Sequence, residues 1–320
     1  MSEASVIERI AAVAAVRPGT AIGIGDDAAV LEPCGSVVLA HDLLVQDVHF
    51  RLPTAARDLG WKALAINLSD LAAMGAEPVA ALVGLALPGP DALDIEAFYG
   101  GMEELAAQTG TTIAGGDLSE GATLAIAVSV AGRLGEGRSP LTRAGARPGD
   151  RLVVTGPLGA SEAGRALLEQ PAHGEGLSEA VCAALLKAHE RPQPELAAAR
   201  TLRALGATAL MDCSDGLMLD GGRMAEASGC GLMIDLEAVP RADGIDPVAA
   251  ALGVQPDVFA ATSGEDYRLL AAVRGDAVPG ALQAFPGGAI VGTFMHGTGG
   301  AAQRDGVRVA LDRTGYTHDV

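Results

Sequence analysis

The chain has 320 residues, with 22 Lys and Arg against 40 Asp and Glu, for a formal net charge of −18. That balance repels a nucleic-acid backbone or an anionic membrane surface, so neither is an expected partner, and the length suits about two domains of roughly 150 residues. Hydrophobic residues make up 49% and aromatic residues 3%, with 43 glycines, which excludes disorder and predicts small-residue packing with many tight turns.

In chain order, residues 4–16 carry Val6, Ile10 and Val13 at helical spacing, and Arg17-Pro18-Gly19 ends the segment. A glycine-rich loop follows. Residues 36–40 form a short apolar run ending in His41-Asp42, and 58–74 read as a helix through Trp61, Leu64, Leu68 and Leu71. Residues 79–87 read as a buried strand, 94–108 as a helix and 123–132 as another strand. The stretch 135–150, rich in glycine, proline and arginine, has no periodicity and is the predicted lobe boundary. A second α/β pattern then begins with a strand at 151–155 and three helical patterns over 159–206. A short apolar run at 210–212 precedes a helix at 217–228, and strands are expected at 232–236, 267–273 and 289–294.

The longest uncharged apolar stretch, 78–90, is interrupted by proline and glycine and falls short of the ~18 to 20 residues needed to cross a bilayer. The opening Met1-Ser2-Glu3-Ala4 lacks the positive region of a signal peptide. Cys34, Cys182, Cys213 and Cys230 form no CxxC pair, which argues against a zinc ribbon or disulfide scaffold. A reduced cytoplasm is the expected location.

Gly23-Ile24-Gly25-Asp26-Asp27-Ala28 formally matches a dinucleotide fingerprint, but it lacks the preceding strand and following helix that such a motif needs. No phosphate-binding G-x-x-x-x-G-K-[ST] loop occurs. What recurs is an aspartate where an apolar segment meets glycine or a turn: Asp26 and Asp27, Asp42, Asp117 in Ala114-Gly115-Gly116-Asp117, and Asp212 and Asp215 in Met211-Asp212-Cys213-Ser214-Asp215-Gly216. Asp70 joins them, three residues after Asn67 on one face of a helix near the core boundary. Each admits a structural role as a turn residue or helix N-cap, and for Asp215 the cap is an especially natural role. Mid-helix Asp70 has no open N–H to receive it. Taken together, desolvated carboxylates in a lysine-poor chain call for a divalent cation, and oxygen-only donors favour Mg²⁺ over zinc. His41 and His49, eight residues apart around an apolar strand, are the alternative zinc ligands; alternation along that strand points His41 away from Asp42.

Six segments carry a family resemblance. They are Gly23-Ile24-Gly25-Asp26-Asp27-Ala28-Ala29-Val30, Asp42 through Phe50, Asn67-Leu68-Ser69-Asp70 through Gly75, Gly115-Gly116-Asp117, Asp212-Cys213-Ser214-Asp215-Gly216-Leu217 and Ser263-Gly264-Glu265-Asp266-Tyr267. In this order the chain resembles the thiamine-monophosphate kinases of the aminoimidazole-ribonucleotide-synthetase-like superfamily. The resemblance implies a two-lobed α/β (α+β) subunit. An N-terminal lobe (1–138) would bind ATP and magnesium and lend strands to a dimeric β-barrel, and a C-terminal α/β lobe (148–320) would complete the nucleotide and substrate site. It also implies Mg²⁺ ligands at Asp26, Asp42, Asp70, Asp117, Asp212 and Asp215, and ATP contacts at Gly116, Asp117, Arg143 and Ser214. Thiamine monophosphate would meet His49, Glu265 and Tyr316, with Asp42, Asp117 and Arg143 catalytic. The family's hydroxyl residues before Asp42 are replaced here by Ala40 and His41.

The implied chemistry agrees with the acidic composition. A phosphate attacking the γ-phosphorus of ATP is already anionic, so no base is required, and the barrier is repulsion between polyanions that several Mg²⁺ ions would relieve. Two other enzymes of the superfamily are the nearest rivals. A hydrogenase-maturation carbamoyl dehydratase would end in a cysteine tail, and a selenophosphate synthetase would place a reactive Cys or selenocysteine near lysine in its N-terminal glycine loop. Neither feature is expected from this sequence. A non-catalytic nucleotide- or metal-binding dimer is the alternative of a different class.

Overall fold

The structure is a computed structural model that describes residues 9, 10, 12–15, 17, 18, 20–22, 30, 31, 35–52 and 54–316. Asp26 and the rest of the motif at 23–29 lie outside the described residues. The chain divides into two compact units, the first comprising 1–71 and 76–140 and the second 72–75 and 141–320.

In the first unit, β1 (Thr20–Ile22) and β2 (Val30–Leu31) form a two-stranded ladder. A four-stranded sheet follows, built from β3 (Val37–Val45), β4 (Glu77–Leu87), β5 (Thr112–Glu120) and β6 (Ala125–Arg133) in the order β3-β6-β4-β5. Only β4 and β5 run parallel, joined by α2 (Ile95–Thr109); the crossover needs a helix because parallel neighbours cannot be joined by a tight turn. Asp94 caps α2 by accepting the Ala97 N–H at 3.0 Å, and Gly110 closes it in the left-handed conformation at φ 74°.

The preceding helix, α1 (Ala56–Ala73), is buried without interruption from Leu59 to Ser69, polar Lys62, Asn67 and Ser69 included. A helix buried all round needs neighbours that approach its backbone. Gly60 and Gly101 supply that approach: a Cβ at Gly101 would lie 1.7 Å from the Arg57 carbonyl oxygen, and one at Gly60 would lie 1.9 Å from that of Phe98. The α1–α2 crossing is therefore backbone on backbone.

The second unit is a seven-stranded sheet in the order β13-β12-β9-β11-β7-β10-β8. Its strands are β7 (Arg151–Val154), β8 (Ala209–Asp212), β9 (Gly231–Asp235), β10 (Leu269–Val273), β11 (Ala289–Met295), β12 (Gly299–Arg304) and β13 (Val307–Val309). Its helices are α3 (Ala160–Glu169), α4 (Glu179–Glu190), α5 (Leu196–Ala204), α6 (Leu217–Ala227), α7 (Ile245–Ala251), α8 (Pro256–Thr262) and α9 (Val278–Ala284). Strand alternation divides the core in two. Leu152, Val154, Leu270 and Ala272 pack on one side with Leu185 and Leu217, while Val153, Leu269, Ala271 and Val273 pack on the other with Ala199, Leu202 and Ala281. Both faces of the central strands are thus covered, which is why β10 is buried at every position.

Several boundaries differ from the sequence expectation. The strand expected over 36–40 continues through His41 and Asp42 to Val45, because the antiparallel ladder with β6 pairs all nine residues whatever their polarity. β5 was not anticipated, since Gly115-Gly116-Asp117 has turn composition; pairing with β4 overrides it. The helix expected over 4–16 is described only at Arg9, Ile10, Ala12 and Val13. The seven-residue helices α7, α8 and α9 and the hairpin β12–β13 were also missed, being too short for periodicity to show.

The crossing makes a direct prediction. Gly101→Ala must push α1 and α2 apart or bend one of them, and it is expected to destabilise the protein by roughly 2 to 3 kcal/mol, the cost of overpacking a tight contact. Urea unfolding followed by circular dichroism measures the change; a loss under about 0.5 kcal/mol would mean that the crossing relaxes freely.

Candidate functional site

In the first unit the candidate residues sit on three elements. Asp42 lies in the middle of β3, half-buried, on the strand face that carries Leu44. Burial raises its carboxyl above the ordinary value of 3.8, partly offset by the neighbouring His41 charge. His41 points to the other face, where its Nδ1 lies 2.8 Å from Ser129 Oγ, directly across the ladder on β6. Just after β3 the chain makes a tight turn in which the Val45 N–H donates to His49 Nδ1 at 3.0 Å. That bond requires a bare Nδ1 and leaves the imidazole proton on Nε2.

Asp70 occupies the last turn of α1 and is half-exposed. A carboxylate there faces the negative end of the helix dipole with no basic residue in that turn, an arrangement that favours a cation nearby. One turn earlier, fully buried Asn67 donates through Nδ2 to the Ala63 carbonyl at 3.0 Å, while its Oδ1 has no hydrogen-bond partner. Asp117 is exposed in the interior of β5, not at a turn, opposite Gly84 of β4. The glycine before it has a packing reason of its own: a Cβ on Gly116 would lie 1.9 Å from the Val83 carbonyl oxygen.

In the second unit the candidate residues converge. The segment from Asp212 to Gly216 links β8 to α6, and the segment 263–267 leads into β10. The antiparallel β8–β10 ladder continues between them beyond the strands. The Cys213 N–H donates to the Arg268 carbonyl (2.8 Å), the Tyr267 N–H to the Cys213 carbonyl (3.0 Å) and the Glu265 N–H to the Ser214 carbonyl (2.7 Å). Near the C-terminus, the Tyr316 N–H donates to the Asp215 carbonyl at 2.9 Å. Ser214, Asp215, Glu265 and Tyr316 are therefore held in one knot of backbone hydrogen bonds.

Asp215 does not cap α6. The cap position is Gly216, which offers no side chain, and the N–H groups of Asp215 (2.8 Å) and Gly216 (3.1 Å) donate instead to Oδ2 of Asp220, within the first turn of the helix. Arg223 bonds Oδ2 of Asp215 and, at 2.8 Å, Oδ1 of Asp220. Asp220 is fully buried, and desolvation pushes its carboxyl up to about 6, with Asp215 and Asp212 adding to the rise and Arg223 opposing it. Among the described residues no three His, Cys, Asp or Glu side chains converge closely enough to hold a metal ion. In the second unit both oxygens of Asp220 are taken by amides and a guanidinium, and Oδ2 of Asp215 is bonded by the same guanidinium.

Arg143 is exposed on a loop fixed from two sides. The Thr142 carbonyl accepts the Leu210 N–H of β8 at 2.9 Å, and Ser228 Oγ accepts the N–H groups of Gly145 and Ala146, each at 3.1 Å. The segment 263–267 has a second anchor in Asp266, whose carboxylate accepts the N–H groups of Gly159 (2.6 Å) and Ser161 (3.2 Å) at the start of α3. Desolvation nevertheless outweighs those bonds and pushes its carboxyl up to about 6.

Sequence reasoning missed Asp220, Arg223 and His189, which lies beside Glu265. Asp220 and Arg223 had a local signal, an acid and a base three apart at the head of a predicted helix. His189 had none, because its partner is distant in sequence.

The N-terminal domain of AIR synthase related protein matches residues 25–134, and the C-terminal domain of AIR synthase related protein matches residues 147–304. A thiamine-monophosphate kinase of Mycobacterium tuberculosis is 38% identical over 281 residues, covering 86% of this chain and 81% of the relative. The crystal structure of thiamine-monophosphate kinase from Stenotrophomonas maltophilia K279a superposes with a TM-score of 0.81 at 33% identity, covering 97% of this chain and 98% of that one. AaThiL complexed with AMPPCP and TMP superposes with a TM-score of 0.77 at 30% identity, covering 92% of each chain.

Asp266 generates a pH prediction. Its folded-state value of about 6 stands above the ordinary 3.8, so its contribution to stability is full below about pH 4 and is lost as pH rises through 6. Asp266→Asn keeps one oxygen for the α3 amides and removes the titration. Relative to the unsubstituted protein, the variant should gain about 1 kcal/mol more at pH 7 than at pH 5, measured by urea unfolding at both values. An offset independent of pH would show that this carboxyl does not titrate in that range.

Proposed function

The chain belongs to the thiamine-monophosphate kinase family of AIR synthase related proteins, and we infer from that membership that it transfers the γ-phosphate of ATP to thiamine monophosphate, giving thiamine diphosphate and ADP. The single observation that carries this conclusion is similarity over 92% of the chain to AaThiL complexed with AMPPCP and TMP.

The phosphate of the acceptor is the nucleophile. It is anionic at neutral pH, so the protein need supply no general base; its task is to position two polyanions and stabilise charge in the transition state. Arg143, presented on its pinned loop, offers a guanidinium fork to the transferring phosphoryl group. Ser214 and the Gly116-Asp117 segment contact the nucleotide. His49, with its proton on Nε2, donates to the acceptor. Glu265 faces the cationic ring of thiamine, and Tyr316, 40% exposed, lays a flat aromatic face against it.

The all-oxygen donor set of Asp26, Asp42, Asp70, Asp117, Asp212 and Asp215 fits Mg²⁺, and the orphaned Oδ1 of Asn67 beside Asp70 supports a cation at that end of α1. Bound Mg²⁺ would neutralise phosphate charge and hold the in-line geometry. Ala40 and His41 leave Asp42 to carry its part of the ligation, with water or a backbone carbonyl filling the positions of the family's hydroxyls.

We also infer a homodimer formed through the N-terminal lobe. The outward face of the four-stranded sheet exposes Leu39 by 74% and Leu82 by 47%, with Val37 and Leu43 beside them and small Ala125, Ala127, Ser129 and Ala131 opposite on β6; His41 and Arg133 are its polar members. Such a face favours covering by a second copy, closing a β-barrel. In this assignment residues 1–138 bind ATP and magnesium and dimerise, and residues 148–320 complete the nucleotide and substrate site. Among the described residues no helix is long and apolar enough to cross a membrane, and Cys182, Cys213 and Cys230 are free thiols, which fits a reducing cytoplasm.

Purified protein given ATP, Mg²⁺ and thiamine monophosphate should yield thiamine diphosphate and ADP in equal amounts by chromatography. ATP consumption without thiamine diphosphate would overturn the assignment. Asp70→Asn is expected to lower turnover by at least ~100-fold at millimolar Mg²⁺ while leaving the circular dichroism spectrum unchanged; retention of most activity would remove Asp70 from the ligand set.

Tyr316→Ala separates the two substrates. Loss of the aromatic face should raise the KM for thiamine monophosphate about tenfold, worth about 1.4 kcal/mol, and leave that for ATP within about twofold. A larger effect on ATP would place Tyr316 at the nucleotide.

A further inference from the structure

We propose that His189 is a positioning residue for the acceptor: it fixes the carboxylate of Glu265 in the orientation that meets the cationic ring. The proposal rests on the assignment of Glu265 to that ring. His189 lies in the last turn of α4, with its side chain almost wholly buried. Its Nδ1 is 3.4 Å from Oε2 of Glu265 and 3.2 Å from Oγ of Ser161 in α3. Glu265 itself is half-buried, one oxygen held toward the imidazole.

A carboxylate can only accept, so the contact with Glu265 is favourable when Nδ1 carries hydrogen; that N–H then lies within reach of both Glu265 Oε2 and the Ser161 hydroxyl oxygen. The α4 C-terminus favours such a donor, because its dipole stabilises positive charge on the imidazole.

The backbone shows why Glu265 needs holding. Four non-glycine residues among those described have positive φ, and two of them, Glu265 at 61° and Tyr267 at 51°, flank Asp266. A left-handed conformation is strained at such residues and persists only where surroundings over-determine it. The surroundings here are the Glu265 N–H bond to Ser214, the grip of Asp266 on α3, and His189 on the side chain. The first two set the main chain. His189 meets the carboxylate itself.

The test separates positioning from a structural tie between α3 and α4. His189→Leu keeps an apolar side chain of similar bulk without a donor, His189→Asn keeps an N–H near the place of Nδ1, and Ser161→Ala cuts the helix tie while leaving Nδ1–H to Glu265. His189→Leu should raise the KM for thiamine monophosphate about tenfold with the KM for ATP within about twofold, the size of a charge-assisted hydrogen bond. His189→Asn should restore it to within about threefold, and Ser161→Ala should leave it unchanged. Equal rises in His189→Leu and Ser161→Ala, or no rise in His189→Leu, would overturn the proposal. Should His189→Leu not fold, ¹⁵N-histidine NMR of the unsubstituted protein decides: hydrogen on Nδ1 supports positioning, and a bare Nδ1 excludes it. Unsubstituted protein that fails to phosphorylate thiamine monophosphate would refute the functional assignment instead, a result distinct from any of these.

Discussion

The candidate site of the second unit depends on buried carboxylates that satisfy backbone amides of other segments. A strand that turns sharply into a helix leaves N–H groups with no partner inside the helix, and such groups are costly when buried. At the start of α6, Asp220 reaches back to two of them; at the start of α3, Asp266 reaches across from another loop to two more. Both acids are raised to about 6, so each accepts a desolvation cost in exchange for geometry. The exchange fixes a loop conformation that neither local propensity nor apolar packing would choose, and it frees the carboxylate of Asp215 from capping.

The first unit solves a different problem. Its central helix is buried on every side, yet it must present an acid at one end. The glycines of the α1–α2 crossing allow close packing along the first half of the helix, and Asp70 emerges in the final turn, where Asn67 below it leaves an acceptor unmet. On the sheet, strand alternation sorts chemistry by parity. Asp42 shares a face with Leu44, and His41 shares the opposite face with Leu39 and Leu43. His41 therefore lies on the exposed face of the sheet, where the imidazole meets Ser129 across the ladder.

Much of this was legible before any coordinates. The helix through Trp61 and Leu68, the helix expected over 94–108 and the alternation of strands with helices follow from apolar spacing, which is a local property. The motif residues Asp212 to Gly216 and Ser263 to Tyr267 could be recognised by composition and order. What their spacing could not show is that two stretches about fifty residues apart are paired amide to carbonyl, because pairing in a sheet depends on which strands become neighbours.

The sequence by itself determined the residue types available for chemistry: an acidic, lysine-poor chain with aspartates beside glycines, which suits metal-assisted phosphate transfer. Tertiary structure decided which of those residues have a structural duty. It gave the capping of α6 to Asp220 and not Asp215, put Asp117 inside a strand instead of at a turn, and set His189 against Glu265. The physical reason is common to all three. A side chain's role is set by the polar group it must satisfy or can reach, and the reach of a carboxylate or imidazole is a few ångströms in space, whatever the separation along the chain.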